Sequence, residues 1–144
     1  SVNNLTYEAE KRHVDPKRII FANKLPLEKH LARHSLGDLG LDTFNYNGHT
    51  TTSDALWAGL PVLTKIGESF AARVSASILT SLGMPELITY TEEEYEEKAL
   101  YIARNPDELI KLKSKLVKVR KTSPLFNTEI FTKDLENKFI ELVK

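Results

Sequence analysis

The stretch Asn47-Gly48-His49-Thr50-Thr51-Thr52-Ser53-Asp54 gathers the residues of this chain best suited to chemistry. Three threonines and a serine supply hydroxyls, His49 supplies an imidazole, and Asp54 places a carboxylate one helical turn beyond Thr50. A helix start presents backbone N–H groups and the positive end of the helix dipole, so it attracts anions. Hydroxyls and an imidazole at that point add donors for a phosphate, and Asp54 is suited to accept hydrogen bonds from a ribose diol beside it. The spacing reads as a phosphate and sugar cradle for a nucleotide. A purely local reading competes with it, because Ser and Thr favour helix starts, where a side-chain oxygen caps an orphan N–H. One cap needs one hydroxyl, and this stretch offers a surplus.

The elements around the stretch would position it. Leu39 to Phe44 is an apolar run short enough for a buried strand. Asp54 to Ala58 reads as a helix, Gly59 stands where it would stop, and Pro61 to Thr64 begins another strand. Strand, glycine turn, helix and strand in that order predict an α/β fold, with a Rossmann-like parallel sheet flanked by helices. Sheets of this kind bind nucleotides over the C-terminal ends of their strands.

Upstream, Leu5 to His13 reads as the end of an amphipathic helix, Val14-Asp15-Pro16 as a turn, and Arg18 to Ala22 as a buried strand parallel to the others. A helix follows with Pro26 at its first position. On it His30 and Arg33 share a face and could reach a ligand with a flat ring and a planar fork of donors. The alternative there is a solvated face with Lys29 and His34.

Downstream, Phe70 to Leu82 predicts one long helix ended by Gly83. Ser75, Ser77, Thr80 and Ser81 on it serve either a ligand or close packing, and Glu68 with Arg73 suggests a surface ion pair. Pro85 to Ile88 is a short strand or extended turn. Thr91 and Glu94 make a capping box, and Asn105-Pro106 breaks the helix that follows. Asp107 to Lys121 is a further helix with a basic second half matched to its dipole, and Thr128 to Lys144 a last one carrying Phe131, Leu135, Phe139 and Leu142 on one side.

Composition narrows the classes. A chain of 144 residues suits a single domain, 1–144. Its 20 basic and 20 acidic residues balance, so no basic field argues for a nucleic acid or membrane partner. With no cysteine there is no disulfide and no thiolate metal site, which fits a reducing cytoplasm. No apolar run approaches the roughly 20 residues that span a bilayer. The N-terminus lacks both a signal-peptide pattern and a starting Met, so the chain reads as a fragment of a longer protein.

The run from Leu41 through Asn47-Gly48-His49-Thr50-Thr51 and Asp54 to Leu60-Pro61-Val62 resembles the signature of the O-linked N-acetylglucosamine transferase family. These are SPINDLY-like enzymes in which TPR repeats usually precede a GT-B glycosyltransferase. The resemblance begins at about Leu5 and continues through Gly67-Glu68-Ser69-Phe70-Ala71-Ala72-Arg73-Val74 to Ser123-Pro124-Leu125-Phe126-Asn127. It implies the C-terminal lobe of a GT-B enzyme, the lobe that holds the UDP part of UDP-GlcNAc. By position, His30 resembles the residue packed on the uracil and Arg33 the arginine beside that base. His49, Thr50 and Thr51 resemble the residues that grip the diphosphate, with Asn47 and Gly48 in the same nucleotide-binding set, and Asp54 resembles the carboxylate on the ribose.

The resemblance further implies inverting, metal-independent transfer of N-acetylglucosamine to Ser or Thr of proteins, with UDP-GlcNAc as donor and no other cofactor. His49 would stabilise the leaving group. The catalytic base, the acceptor side and the TPR repeats would belong to parts outside this chain, so this chain alone is expected to be inactive. Two departures stand out: Leu27 lies near a position where human-like members carry lysine, and Asn45 replaces the proline of the common bacterial form. Two other readings stay open, a lobe for another nucleotide sugar such as GDP-fucose, and a non-catalytic interaction domain.

Overall fold

A computed structural model describes residues 2–143. The chain divides into two compact units, Ser1–His30 and Leu31–Lys144.

The first unit begins with helix α1 (Val2–Lys11), whose buried residue is Ala9. A 3-10 turn follows at Pro16–Arg18, where the Asp15 carboxylate accepts from the Lys17 N–H at 2.9 Å. The strand expected over Arg18 to Ala22 does not form. Ile19 leaves the turn in an extended conformation, but the segment pairs with no described strand, and Ile20 is 86% exposed. Branched and aromatic residues favour strands because they fit a pleated, half-buried surface. Every described strand pair lies in the second unit, and strand propensity alone does not supply a pairing partner. Helix α2 (Leu27–Arg33) spans the division between the units and starts one residue after Pro26.

The second unit is built on strands β1 (Gly40–Leu41), β2 (Val62–Lys65) and β3 (Ile88–Thr89). They lie in that order and all are parallel, with Leu41 opposite Leu63 and Thr64 opposite Ile88. Helix α3 (Thr50–Ala58) joins β1 to β2, and α4 (Val74–Leu82) joins β2 to β3. Helices α5 (Glu92–Arg104), α6 (Pro106–Val119) and α7 (Thr128–Leu142) complete the unit. The core joins Leu56 of α3, Leu63 of β2, Leu79 and Leu82 of α4, Ile102 of α5, and Leu112 and Leu116 of α6.

Local signals account for most of the boundaries. Gly59 and Gly83 end α3 and α4 with left-handed backbone, φ 94° and 82°, which costs glycine little. The Gly59 N–H closes onto Ala55 and Leu56, and Arg120 Nη1 donates to the Trp57 carbonyl at 2.6 Å, so the C-terminal end of α3 is well satisfied. The long helix expected from Phe70 is interrupted. A 3-10 turn over Phe70–Ala72 comes first, with Ser69 Oγ accepting from the Ala72 N–H. Pro85–Leu87 is another such turn, running directly into β3.

Thr91 Oγ1 accepts from the Glu94 N–H at 3.1 Å, as the capping pattern predicts. Glu94 Oε2 reaches back to the N–H of Tyr90, one residue earlier than the pattern implies. Helix α7 has no buried residue. Among the described residues no helix is long and apolar enough to cross a membrane.

One aromatic residue ties α5 to the end of β1. The Tyr95 hydroxyl donates to the Asp42 carbonyl at 3.0 Å, and its ring meets Phe44 edge-on at 4.9 Å. Burial pushes the Tyr95 phenol up to about 12, and the nearby Asp42 carboxylate acts in the same direction. An unfolded tyrosine loses its proton at about 10. The unfolded state therefore ionises first as pH rises, and the stability held below pH about 10 is lost toward the folded value. We expect Tm to fall across that window in the wild type and less steeply in Tyr95→Phe. Identical slopes for the two proteins would contradict this.

Candidate functional site

The site grows from the C-terminal end of β1. Asp42 Oδ1 accepts from the Thr43 N–H at 2.9 Å and from the Gly48 N–H at 2.7 Å. Its Oδ2 accepts from the buried Thr64 hydroxyl of β2 at 2.7 Å. Between these points the chain makes a tight turn in which Thr43 Oγ1 donates to the Tyr46 carbonyl at 2.6 Å. Asn45 is left-handed there, φ 65°, a conformation that a proline ring forbids. The turn as this chain closes it therefore has no place for a proline at position 45.

Asn47 is 1% exposed. Its N–H donates to Ala71 and its Nδ2 to Thr43, while its Oδ1 is buried without a hydrogen-bond partner. At Gly48 a Cβ would lie 2.5 Å from Thr52 Oγ1 and 2.7 Å from Thr51 Oγ1, so a side chain could enter only by displacing them. The Thr52 and Ser75 hydroxyls, 2.9 Å apart, lie 3.0 and 2.7 Å from the Gly48 carbonyl oxygen. Ser75, read from the sequence as serving a ligand or packing, thus braces the turn from α4.

His49 occupies the position before α3, and its side chain makes no capping hydrogen bond to the helix start. The hydroxyl that a cap would have used is not used that way: Thr52 turns inward, while Thr50 and Thr51 are exposed. The His49 ring is stacked on Tyr46 at 5.1 Å and meets Phe70 edge-on at 6.1 Å. Its Nε2 stands 3.5 Å from the Ala71 carbonyl oxygen. A hydrogen on Nε2 would point at that carbonyl. Asp54 is half-buried on α3, one turn beyond Thr50.

His49, Thr50 and Thr51 therefore converge on one helix start, with Asp54 along the same helix. The Asn47 and Gly48 N–H groups bond to the Ala71 carbonyl and the Asp42 carboxylate within the turn that leads into His49. His30 closes the first unit and Arg33 belongs to the second; both are half-buried on α2. The 3-10 turn His34–Leu36, which follows Arg33, packs on α3. Arg73 does not pair with Glu68 as expected; its Nη1 donates to the Gly67 carbonyl at 3.2 Å.

Sequence reasoning missed Asp42, the Thr52–Ser75 pair, Tyr46 and Phe70. A carboxylate closing an otherwise apolar strand was an available signal for Asp42. The hydroxyl pair joins residues 23 apart in sequence, and no local pattern announces it. A cavity of about 650 Å³ lies between the Phe70 turn, α4 and β3, lined by Phe70, Arg73, Ser77, Ile88 and Tyr90 among others. Thr50 and Thr51 do not line it, and Phe70, whose ring meets His49 edge-on, lies on its wall. Among the described residues no three His, Asp or Glu side chains form a group that could hold a metal ion.

Comparison with known proteins gives a consistent result. The family model described as Glycosyl transferase family 41 matches residues 2–135. A UDP-N-acetylglucosamine–peptide N-acetylglucosaminyltransferase of Caenorhabditis elegans is 40% identical over 126 residues, covering 88% of this chain and 11% of the relative. A solved structure of an O-GlcNAc transferase mutant from Thermobaculum terrenum superposes with a TM-score of 0.87 at 32% identity, covering 96% of this chain and 26% of that one. The parallel sheet with flanking helices is thus the fold expected of a GT-B lobe. The chain spans a small part of the length of each of these proteins.

Proposed function

This chain belongs to glycosyl transferase family 41, and from that premise we propose that residues 1–144 form the donor-nucleotide lobe of an inverting enzyme. The enzyme moves N-acetylglucosamine from UDP-GlcNAc to Ser or Thr hydroxyls of proteins. The observation that carries this reading is the start of α3. The His49 side chain does not cap its N–H groups, and this helix start lies beyond the C-terminal end of a parallel strand with His49, Thr50 and Thr51 around it. The name of the Caenorhabditis elegans relative supports the choice of donor and acceptor.

In the reaction the bond between the sugar's anomeric carbon and the β-phosphate oxygen breaks, and the electron pair leaves with UDP. The acceptor oxygen bonds to the opposite face of that carbon and gives up its proton to a base outside this chain. Negative charge grows on the departing diphosphate. Fixed N–H groups, two hydroxyls and an imidazole stabilise that charge as it develops, which is the electrostatic route to catalysis. The His49 imidazole acts as a donor when its Nδ1 carries hydrogen. Asp54 accepts from the ribose, and Arg33 lies beside the base. For His30 on the uracil, and for transfer without a metal, the support is the family resemblance. The protein acceptor and any TPR repeats belong to the parent enzyme, and a chain without cysteine suits the cytoplasm.

Calorimetry with UDP, GDP and pyrophosphate on this chain tests the reading. UDP is expected to bind more tightly than GDP. Asp54→Ala is expected to weaken UDP by about tenfold and to leave pyrophosphate unchanged, since its partner is the ribose and a hydrogen bond to a charged group contributes about 1.5–3 kcal/mol. Equal loss of both ligands would remove Asp54 from the ribose. A preference for GDP would favour a lobe built for another nucleotide sugar.

A further inference from the structure

We propose that Asp42 is the positioning residue of the phosphate-binding turn, an inference that rests on the nucleotide reading above. Its carboxylate joins three points of the second unit that are separate in sequence: the neighbouring Thr43 N–H, the Gly48 N–H, and the Thr64 hydroxyl of β2. Its own carbonyl receives the Tyr95 hydroxyl from α5. Asp42 is therefore held by β2 and α5 and in turn holds Gly48. Hydrogen bonds to a carboxylate are roughly twice as strong as neutral ones.

Gly48 is the last residue before the donors. The peptide plane that carries its N–H is anchored by Asp42, and its carbonyl is braced by Thr52 and Ser75. With both sides of Gly48 fixed, the N–H groups of His49, Thr50 and Thr51 keep their direction before any ligand arrives. The Gly48 N–H is consequently committed to Asp42 and does not serve the phosphate. Asparagine at this position keeps an oxygen for the two N–H donors and turns its amide toward the Thr64 hydroxyl, which can accept. Alanine keeps none of these contacts.

The test uses this chain with UDP and with inorganic pyrophosphate as probes, and measures amide hydrogen exchange at Gly48 without ligand. Asp42→Ala is expected to weaken both probes by about tenfold and to speed Gly48 exchange by a similar factor, the size of effect that one lost hydrogen bond to a charged group produces. Asp42→Asn is expected to restore both readouts to within about threefold of wild type, because its contacts keep their geometry and lose only the charge. If Asp42→Ala does not fold, Thr64→Val replaces it, and both readouts are then expected to move part of the way. Wild-type binding and exchange in a folded Asp42→Ala would overturn the proposal, as would an Asp42→Asn as weak as the alanine variant. If the wild type binds neither probe, the nucleotide reading fails, and unchanged Gly48 exchange in Asp42→Ala then overturns the anchoring by itself.

Discussion

Replacing Thr50 and Thr51 together by alanine is expected to weaken UDP binding by more than about tenfold, with the variant melting close to the wild type. Both residues are exposed at the start of α3, so their removal takes little from the core. Each hydroxyl that donates to a phosphate contributes about 1.5–3 kcal/mol, and losing either one already accounts for a factor of about ten. Pyrophosphate should suffer as much as UDP, because the contact is to the phosphates. Lys115→Ala is the control: Lys115 pairs with Glu86 at 2.7 Å on the surface, and such a pair stabilises little. Calorimetry on the four proteins (wild type, both single threonine variants and the double) with the control decides the matter. An equal loss in Lys115→Ala, or none in the double variant, would move the phosphate site away from α3.

The largest effect on stability is expected at Leu63. It is fully buried in the middle strand of the sheet, between Leu41 on β1 and the helices that cover β2. Truncating a buried leucine removes its transfer energy and leaves a void, together about 2–5 kcal/mol. That is a large share of the roughly 5–15 kcal/mol that holds a typical domain. Leu63→Ala should lower the urea midpoint accordingly, whereas Leu142→Ala, at an 81% exposed position, should not. A change below about 1 kcal/mol at Leu63 would mean that the sheet is not the centre of the core.

These expectations depend on features of unequal legibility in the sequence. Helix stops at Gly59 and Gly83, the Thr91 cap and the break at Pro106 are set by neighbouring residues, so local chemistry was enough to find them. The parallel pairing of β1 with β2 followed from the helix between them. Arg18 to Ala22 misled, because strand propensity says which residues suit a sheet and not whether a neighbour is present. The interruption at Arg73 was hidden for a related reason: apolar spacing continues through Phe70–Ala72 although the backbone there is a 3-10 turn.

At the site, the sequence pointed to the hydroxyls as a group but could not divide the work among them. Thr52 supports Gly48 while Thr50 and Thr51 face outward, a division that depends on where Ser75 of α4 comes to lie. Asp42 escaped notice because its partners Gly48 and Thr64 meet it only once the strands are side by side.

The two fixed ends of α3 limit how its length can change. At one end the turn through Gly48 sets where Thr50 and Thr51 begin; at the other, Gly59 and the guanidinium of Arg120 hold the last carbonyls. Adding or deleting one residue within the helix turns its ends by about 100° relative to each other and shifts them by about 1.5 Å. Such a change would swing either the threonines off the proposed phosphate position or Trp57 off Arg120. Point substitutions on the outer face of α3 leave both ends in place, so this helix should accept changes of residue far more readily than changes of length.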